Sequence, residues 1–357
     1  MPSRTLVRIS LLVCLSACTA SSKTDATADF TPPEEPLAVA DDTATPAETD
    51  GEDSGSSAPP EDSGTHEQPD TAQPPEDTGA PPEDASDDTA APSPPTKSPK
   101  RGLAYDLLDE ADLGAISSSV SWWYNWYFQS DVTEGFEGRH DMEFVPMLWG
   151  YNAESDYVAL ESWLLEHSGV NDILVMNEPN LVEQANMTPE MAVEYWRRAE
   201  EFQAEMLTTH GRTIRLVGPA MTWGTMVDYA DPVVWLDAFY AAFNAAHGRD
   251  PVIDALAFHW YDYGLDDQLS RLEGFEKPFW VTEMANWHTE TGWTIDTPEK
   301  QIETMTDMVE ICESRADVER YAWFIGRWEP DPHHTSIFTA TPGELTALGS
   351  AYLARLW

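Results

Sequence analysis

Eight short apolar runs mark the second part of the chain, at residues 102–106, 117–126, 143–150, 173–180, 215–220, 255–264, 277–287 and 319–328. Their apolar residues are consecutive rather than alternating with polar ones, as in strands covered on both faces of a parallel sheet. Between them, apolar residues recur at helical spacing over 154–168, 188–208, 232–247, 297–313 and 343–356. The stretch from 188 opens on Thr188-Pro189-Glu190, a capping hydroxyl, a proline at the first helical position and an acid in the first turn. A helix between the second and third runs, near 131–141, has the faintest pattern. Strand and helix alternating in this way predict parallel βα units that close into a single (β/α)8 TIM barrel, an α/β fold. An open doubly wound sheet is the competing architecture, but no glycine-rich phosphate loop follows an early run to support it.

The pattern begins abruptly near residue 101. Before it, residues 1–17 read as a signal peptide: Arg4 and Arg8 precede an apolar stretch, 9–15, too short to span a bilayer as a mature helix. The stretch ends in Leu15-Ser16-Ala17-Cys18, which resembles the bacterial lipobox. That resemblance implies cleavage before Cys18, lipidation of Cys18 and attachment to a membrane, and Thr19 in place of an acid favours the outer one. An ordinary secretory signal is the alternative. Residues 18–100 are expected to form a disordered acidic linker. From residue 19 they hold 20 acids against 3 lysines, a single aromatic residue, Phe30, and the phrase Pro-Pro-Glu-Asp at 59–62, 74–77 and 81–84. Such a segment buries too little apolar surface to offset its ordering entropy.

All 15 tryptophans lie in the barrel segment 101–357, which carries 44 acids against 14 bases. Nucleic acid is excluded as a partner, because binding it needs a basic footprint. Cys14 leaves with the signal and Cys18 is the lipidation site, so Cys312 stands alone at helical spacing and reads as a small core residue. A monomer is the default for a tethered domain.

Candidate chemistry sits at two run ends. Ile173-Leu174-Val175-Met176 leads into Asn177-Glu178-Pro179-Asn180, and Phe279-Trp280-Val281-Thr282 leads into Glu283. On the eight-strand count, these acids end the fourth and seventh strands, on opposite sides of the barrel mouth where such enzymes keep their chemistry. Two facing carboxylates cleave a glycosidic bond, one as proton donor and the other as nucleophile or base. An arginine-paired structural acid explains one such glutamate more readily than two.

The motifs around these acids resemble those of the retaining barrel glycosidases. Arg101-Gly102-Leu103-Ala104-Tyr105, Trp123-Tyr124-Asn125-Trp126, Phe144-Val145-Pro146-Met147-Leu148-Trp149 and Phe258-His259-Trp260-Tyr261 are similar to those of glycoside hydrolase family 128. That family comprises β-1,3-glucanases related to an alkali-sensitive-linkage protein of fungal walls. The resemblance spans 101 to about 340. It implies a polysaccharide substrate of the β-glucan class and endo-β-1,3-glucanase activity by double displacement. Glu178 is then the acid/base, Glu283 the nucleophile, and Asn177 binds the hydroxyl beside the reacting carbon. Met284-Ala285 departs from the aromatic and small residues usual after the nucleophile.

His259, Tyr261 and Asn125 are further polar candidates for substrate binding at run ends. Trp149 and Trp323 lead the aromatic candidates for stacking on sugar faces, with Trp260 and Trp287 behind them; Trp122, Trp123, Trp126 and Trp328 share their strand-end placement. Trp163, Trp196, Trp235 and Trp357 fall on helical stretches and read as packing residues. No cofactor is expected. A catalytic metal is not expected either, since adjacent His333 and His334 cannot easily face one ion and no helical His-Glu-x-x-His occurs. Asp262, Asp266 and Asp267 read as a solvated acidic loop. A glucan-binding surface protein, a glucanosyl transferase and a β-1,4-mannanase or cellulase are the competing functions.

Overall fold

The computed structural model describes residues 97–130 and 139–354. The signal peptide, Cys18, most of the linker, Trp357 and most of the faint helix near 131–141 fall outside the described residues. Strands β1 (Arg101–Ala104), β2 (Trp122–Tyr124), β3 (Glu143–Phe144), β4 (Met147–Leu148), β5 (Asp172–Val175), β6 (Arg215–Met221), β7 (Ala255–Trp260), β8 (Phe279–Met284) and β9 (Val318–Phe324) form one sheet. Its order is β3-β2-β1-β9-β8-β7-β6-β5-β4, and every pairing is parallel.

The two ends of that sheet, β3 and β4, are halves of one sequence run, 143–150, interrupted at Val145-Pro146. Proline has no N–H for a ladder, so it breaks a strand. The break is bridged on both sides: Val145 N donates to Trp123 O and Leu174 N donates to Pro146 O, each at 2.9 Å. The eight expected strands are therefore present, the third in two pieces, and the sheet curls until its ends meet in one stretch of chain.

The principal helices are α1 (Glu110–Ile116), α2 (Glu154–Glu166), α3 (Pro189–His210), α4 (Pro232–His247), α5 (Leu265–Leu272), α6 (Pro298–Ser314) and α7 (Ala347–Ala354). Helices α3, α4 and α6 start alike, on Thr188-Pro189, Asp231-Pro232 and Thr297-Pro298. In each, the cap side chain accepts from a first-turn N–H while proline takes a position whose N–H has no helical partner. Two expectations change. Residues 117–121, read as strand, instead follow α1, whose cap is Asp109. Asp266 and Asp267 lie in the first turn of α5, where the helix dipole favours negative charge, rather than in a loop.

Charge at the amino end of the barrel is paired. Arg320 lies over the rings of Trp122 and Trp280 and donates to Glu143 at 2.7 Å, while Arg215 spans Asp172 (3.1 Å) and Glu319 (2.7 Å). Arg101 is buried, its Nη1 donating to Tyr352 O at 2.8 Å. Cys312 is a buried core residue as expected, and burial pushes its thiol pKa up. Lys97 to Lys100, placed in the linker by composition, belong with the domain: Lys100 Nζ donates to the carbonyls of Cys312 (3.1 Å), Glu313 (3.2 Å) and Arg315 (2.9 Å) at the end of α6. Strand β1 packs its backbone directly on an indole. A Cβ on Gly102 would stand 2.3 Å from the ring of Trp122, which is itself fully buried. Gly102→Ala is therefore expected to cost about 1–3 kcal/mol, read as a lower urea midpoint at unchanged slope. An unchanged midpoint would mean that the indole gives way freely.

Candidate active site

Glu178 leaves β5 on a backbone that few side chains tolerate. Met176 (φ +69°) and Glu178 itself (φ +46°) are both in the left-handed region, each costing of the order of 1 kcal/mol or more. Neighbouring strands hold them there. Asn177 N donates to Trp149 O, Glu178 N to Ala220 O and Ala220 N to Met176 O, all at 2.8 Å. Asn180 is fully buried and donates to Thr222 O at 2.6 Å, which fixes the far side of the turn. A Cβ on Gly224 would lie 1.9 Å from Asn180 O, so only glycine allows that approach.

Glu283 lies within β8, next to β7. Their register slips between Phe258 and His259, so that Phe258 faces Val281 but His259 faces Glu283. Successive side chains of a regular strand point to opposite faces. Across the slip, however, both Thr282 Oγ1 (to His259 Nε2, 2.9 Å) and Glu283 Oε2 (to His259 Nδ1, 3.3 Å) reach one imidazole. Irregularities of this kind re-aim side chains beside active sites.

His259 Nδ1 is also 2.8 Å from Glu178 Oε1, so the ring bridges the two acids. One oxygen from each carboxylate and this nitrogen all lie within 4.8 Å of one another, and all three residues are buried. Glu283 is held by three neutral donors: Trp126 Nε1–H (2.7 Å) and the Tyr124 hydroxyl (3.1 Å) on Oε1, and the Tyr261 hydroxyl on Oε2. Trp126 reaches it from just beyond β2 with φ +61°.

The electrostatics of the cluster act on Glu178. Burial raises the Glu178 pKa and the Glu283 charge adds to this, while the hydrogen bond and charge of His259 work the other way without cancelling it. For His259, burial opposes the charged ring, but the Glu283 charge and the Glu178 hydrogen bond and charge outweigh it, so its pKa is raised as well. Both shifts favour the protonated forms of these two groups, whose Oε1 and Nδ1 face each other at 2.8 Å. Burial and the Glu283 charge push the Tyr261 hydroxyl far up, so it stays a donor. This cluster is also the group among the described residues whose carboxylate and imidazole atoms converge closely enough to hold a cation. Its donor set suits protons better: an indole N–H, which cannot ligate a metal, and two hydroxyls already occupy Glu283.

Of the residues singled out from sequence, Glu178, Glu283, His259 and Tyr261 converge in this cluster, with Asn177 adjoining Glu178. Trp287 stacks on Tyr261 at 4.1 Å and on His333 at 5.1 Å. Trp149 is half-buried beside Asn177. Trp260 donates to Tyr263 O at 3.0 Å, while Asn125 donates to Asp106 beyond β1 (3.0 Å) and to Gln129 O (3.1 Å). Trp323 must be corrected. It is fully buried, donates to Thr335 O at 2.8 Å and packs towards Tyr352 of α7, so it points out to the helix layer and offers no face to a sugar. Trp122 and Trp123 are likewise core. Sequence reasoning missed the roles of Tyr124, Trp126 and Thr282 as partners of the acids. Trp126 lay in a motif already noted, but its N–H contact spans 157 positions and has no local signature.

The family model described as glycosyl hydrolase catalytic core matches residues 102–352. A glycoside hydrolase family 128 (subgroup II) endo-β-1,3-glucanase from Pseudomonas viridiflava is 54% identical, with a TM-score of 0.69 over 72% of this chain and 98% of that one. A subgroup II endo-β-1,3-glucanase from Sorangium cellulosum is 29% identical, with a TM-score of 0.59 over 71% and 98% of the two chains. A subgroup I enzyme from Amycolatopsis mediterranei, solved with laminaritriose, is 26% identical, with a TM-score of 0.55 over 72% and 99%. Comparison with curated proteins gives no match. With its barrel, its paired acids and these likenesses, the chain belongs to glycoside hydrolase family 128.

Proposed function

We propose that this chain is an endo-β-1,3-glucanase that cleaves with retention of configuration. The observation that carries the mechanism is the pair of buried carboxylates with oxygens inside 4.8 Å, one acid raised by burial and the other held by three donors. Retaining enzymes keep their carboxyls about 5–5.5 Å apart, whereas inverting ones need about 6.5–9.5 Å to admit a water. The likeness to endo-β-1,3-glucanases supports the substrate class.

In the first half-reaction the Glu178 carboxyl gives its proton to the glycosidic oxygen as the bond from that oxygen to the anomeric carbon breaks. A Glu283 oxygen bonds that carbon and forms a glycosyl ester. In the second half, ionised Glu178 takes a proton from water, the water oxygen bonds the anomeric carbon, and the ester opens to restore the Glu283 carboxylate. The donors from Trp126, Tyr124 and Tyr261 orient Glu283 for attack and receive it on release. Asn177 Oδ1, Glu178 Oε2, Asn286 Nδ2 and the indole nitrogens of Trp149 and Trp287 are buried without a protein partner. Sugar hydroxyls, which both donate and accept, suit such groups.

The chain is further proposed to be exported, cleaved before Cys18, held at the outer membrane by a lipid on that residue, and active as a single copy. The lipobox-like Leu15-Ser16-Ala17-Cys18 supports this. Replacing residues 1–18 by an ordinary cleavable secretory signal is expected to move active enzyme from the membrane to the soluble fraction, eluting at the mass of one chain. Retention of that variant in the membrane fraction would overturn the anchor.

Two measurements test the chemistry. Wild type and Glu283→Gln are incubated with laminarin, curdlan, cellulose and mannan. Short β-1,3-oligosaccharides from the first two substrates, released by wild type alone, are expected; release from cellulose or mannan instead would reassign the substrate. Glu178 acts protonated, so its raised pKa keeps the enzyme active to a higher pH than an ordinary glutamic acid, at about 4.3, would allow. The basic limb of kcat/KM should therefore lie above that value. Glu178→Gln should remove the limb and lower kcat/KM on laminarin by about 10²–10⁴-fold; a variant that kept both would exclude Glu178 as the acid.

A further inference from the structure

Four aromatic side chains are exposed among the described residues: Tyr127, Tyr151, Tyr263 and Trp293. They follow β2, β4, β7 and β8 respectively, so all stand at the carboxyl end of the barrel, the end that carries Glu178 and Glu283. At the opposite end the exposed apolar residues are aliphatic, among them Leu165, Leu207 and Val252. Scattered aliphatic exposure is ordinary for a protein surface. Exposed rings confined to the rim around the acids call for a ligand with flat faces.

Trp293 is the most exposed of the four, at 66%. It sits in the polar segment Thr289-Glu290-Thr291-Gly292-Trp293-Thr294, where no core demands an indole. It is nevertheless held. Tyr263 meets its ring edge-on at 5.8 Å, and the Tyr263 hydroxyl donates to the Trp293 carbonyl at 3.0 Å. Tyr263 also meets the ring of His288, which is bonded to Asp262 at 2.8 Å. The loop is closed on itself by Ile295 N to His288 O (2.9 Å) and Trp293 N to Glu290 O (3.0 Å). The residue before His288 is Trp287, which stacks on Tyr261, whose hydroxyl bonds Glu283. Two groups of packed rings, Tyr261 with Trp287 and His288 with Tyr263 and Trp293, are thus joined through the Trp287–His288 backbone between Glu283 and the rim.

We propose that Trp293, propped by Tyr263, is a distal platform on which a glucosyl unit of the bound β-glucan stacks, beyond the units that flank the cleaved bond. The proposal rests on the endo-β-1,3-glucanase reading. A neutral polysaccharide gains nothing from the formal net charge of −45, so its affinity must come from ring stacking and hydrogen bonds. A pre-ordered ring loses little freedom when a sugar covers it, which makes a braced tryptophan a better platform than a loose one.

The test compares wild type, Trp293→Ala and Trp293→Phe on laminaritriose and laminarihexaose, with binding of the same sugars to Glu283→Gln and to Glu283→Gln/Trp293→Ala by calorimetry. For Trp293→Ala, KM for laminarihexaose is expected to rise about three- to tenfold at unchanged kcat, with laminaritriose unaffected and Trp293→Phe close to wild type. The double variant should show the same loss of laminarihexaose affinity. Equal losses on both sugars would make Trp293 merely structural, and no loss on either would leave the rim without a subsite there; both outcomes overturn the proposal while the enzyme remains a glucanase. If wild type cleaves neither sugar and Glu283→Gln binds neither, the glucanase reading itself fails and this subsite fails with it.

Discussion

Repulsion between two buried carboxylates governs the catalytic end of this molecule. At the 4.8 Å that bounds the closest oxygens of Glu178 and Glu283, two full negative charges repel by at least about 3.5 kcal/mol at an effective dielectric of about 20. Burial adds a further penalty to each charge. The lowest-energy arrangement keeps one proton in the pair, and the surroundings decide where. Three neutral donors hold Glu283, while the second oxygen of Glu178 has no protein partner. Burial and the neighbouring charge accordingly favour the protonated form of Glu178, with His259 beside it.

The contrast with the other end of the barrel explains the choice of partners. There, Asp172, Glu143 and Glu319 are matched by Arg215 and Arg320. Around Glu178 and Glu283, no lysine or arginine forms an ion pair among the described residues; the sole ionisable base is His259. A fixed cation beside Glu178 would hold its carboxyl ionised and remove the acid. The fold thus gives its acids cations at one end of the barrel, and neutral donors with a titratable ring at the other.

Much of this could be read from the chain. The eight apolar runs, the cap-and-proline start of α3, and the two glutamates at run ends are local signals, and each survives in the structure. The break at Pro146 was missed, since 143–150 read as one strand, and nothing local said that the sheet would begin and end there. What was illegible depends on direction. Strands covered on both faces lack alternation, so Trp323, within a run that is wholly buried from Tyr321 to Phe324, gave no sign that it faces the helix layer. The register slip at His259 and the long reach of the Trp126 indole to Glu283 exist only between strands. Trp293 lies in a polar loop outside every run and helical stretch, and the sequence reading passed over it.

The entry of the chain into the domain has a mechanical consequence. Residues 97–100 lead straight into β1, which is not an edge but pairs with β2 on one side and β9 on the other. Lys100 ties that entry to the end of α6, more than 200 positions away in sequence, through three carbonyls. A pull transmitted through residue 97 therefore loads two parallel ladders together, in shear along the strand axis, with the ammonium clamp as a stop. Bonds sheared side by side yield together rather than one at a time, so a pull entering at residue 97 meets both ladders before it reaches the carboxyl ends of the strands.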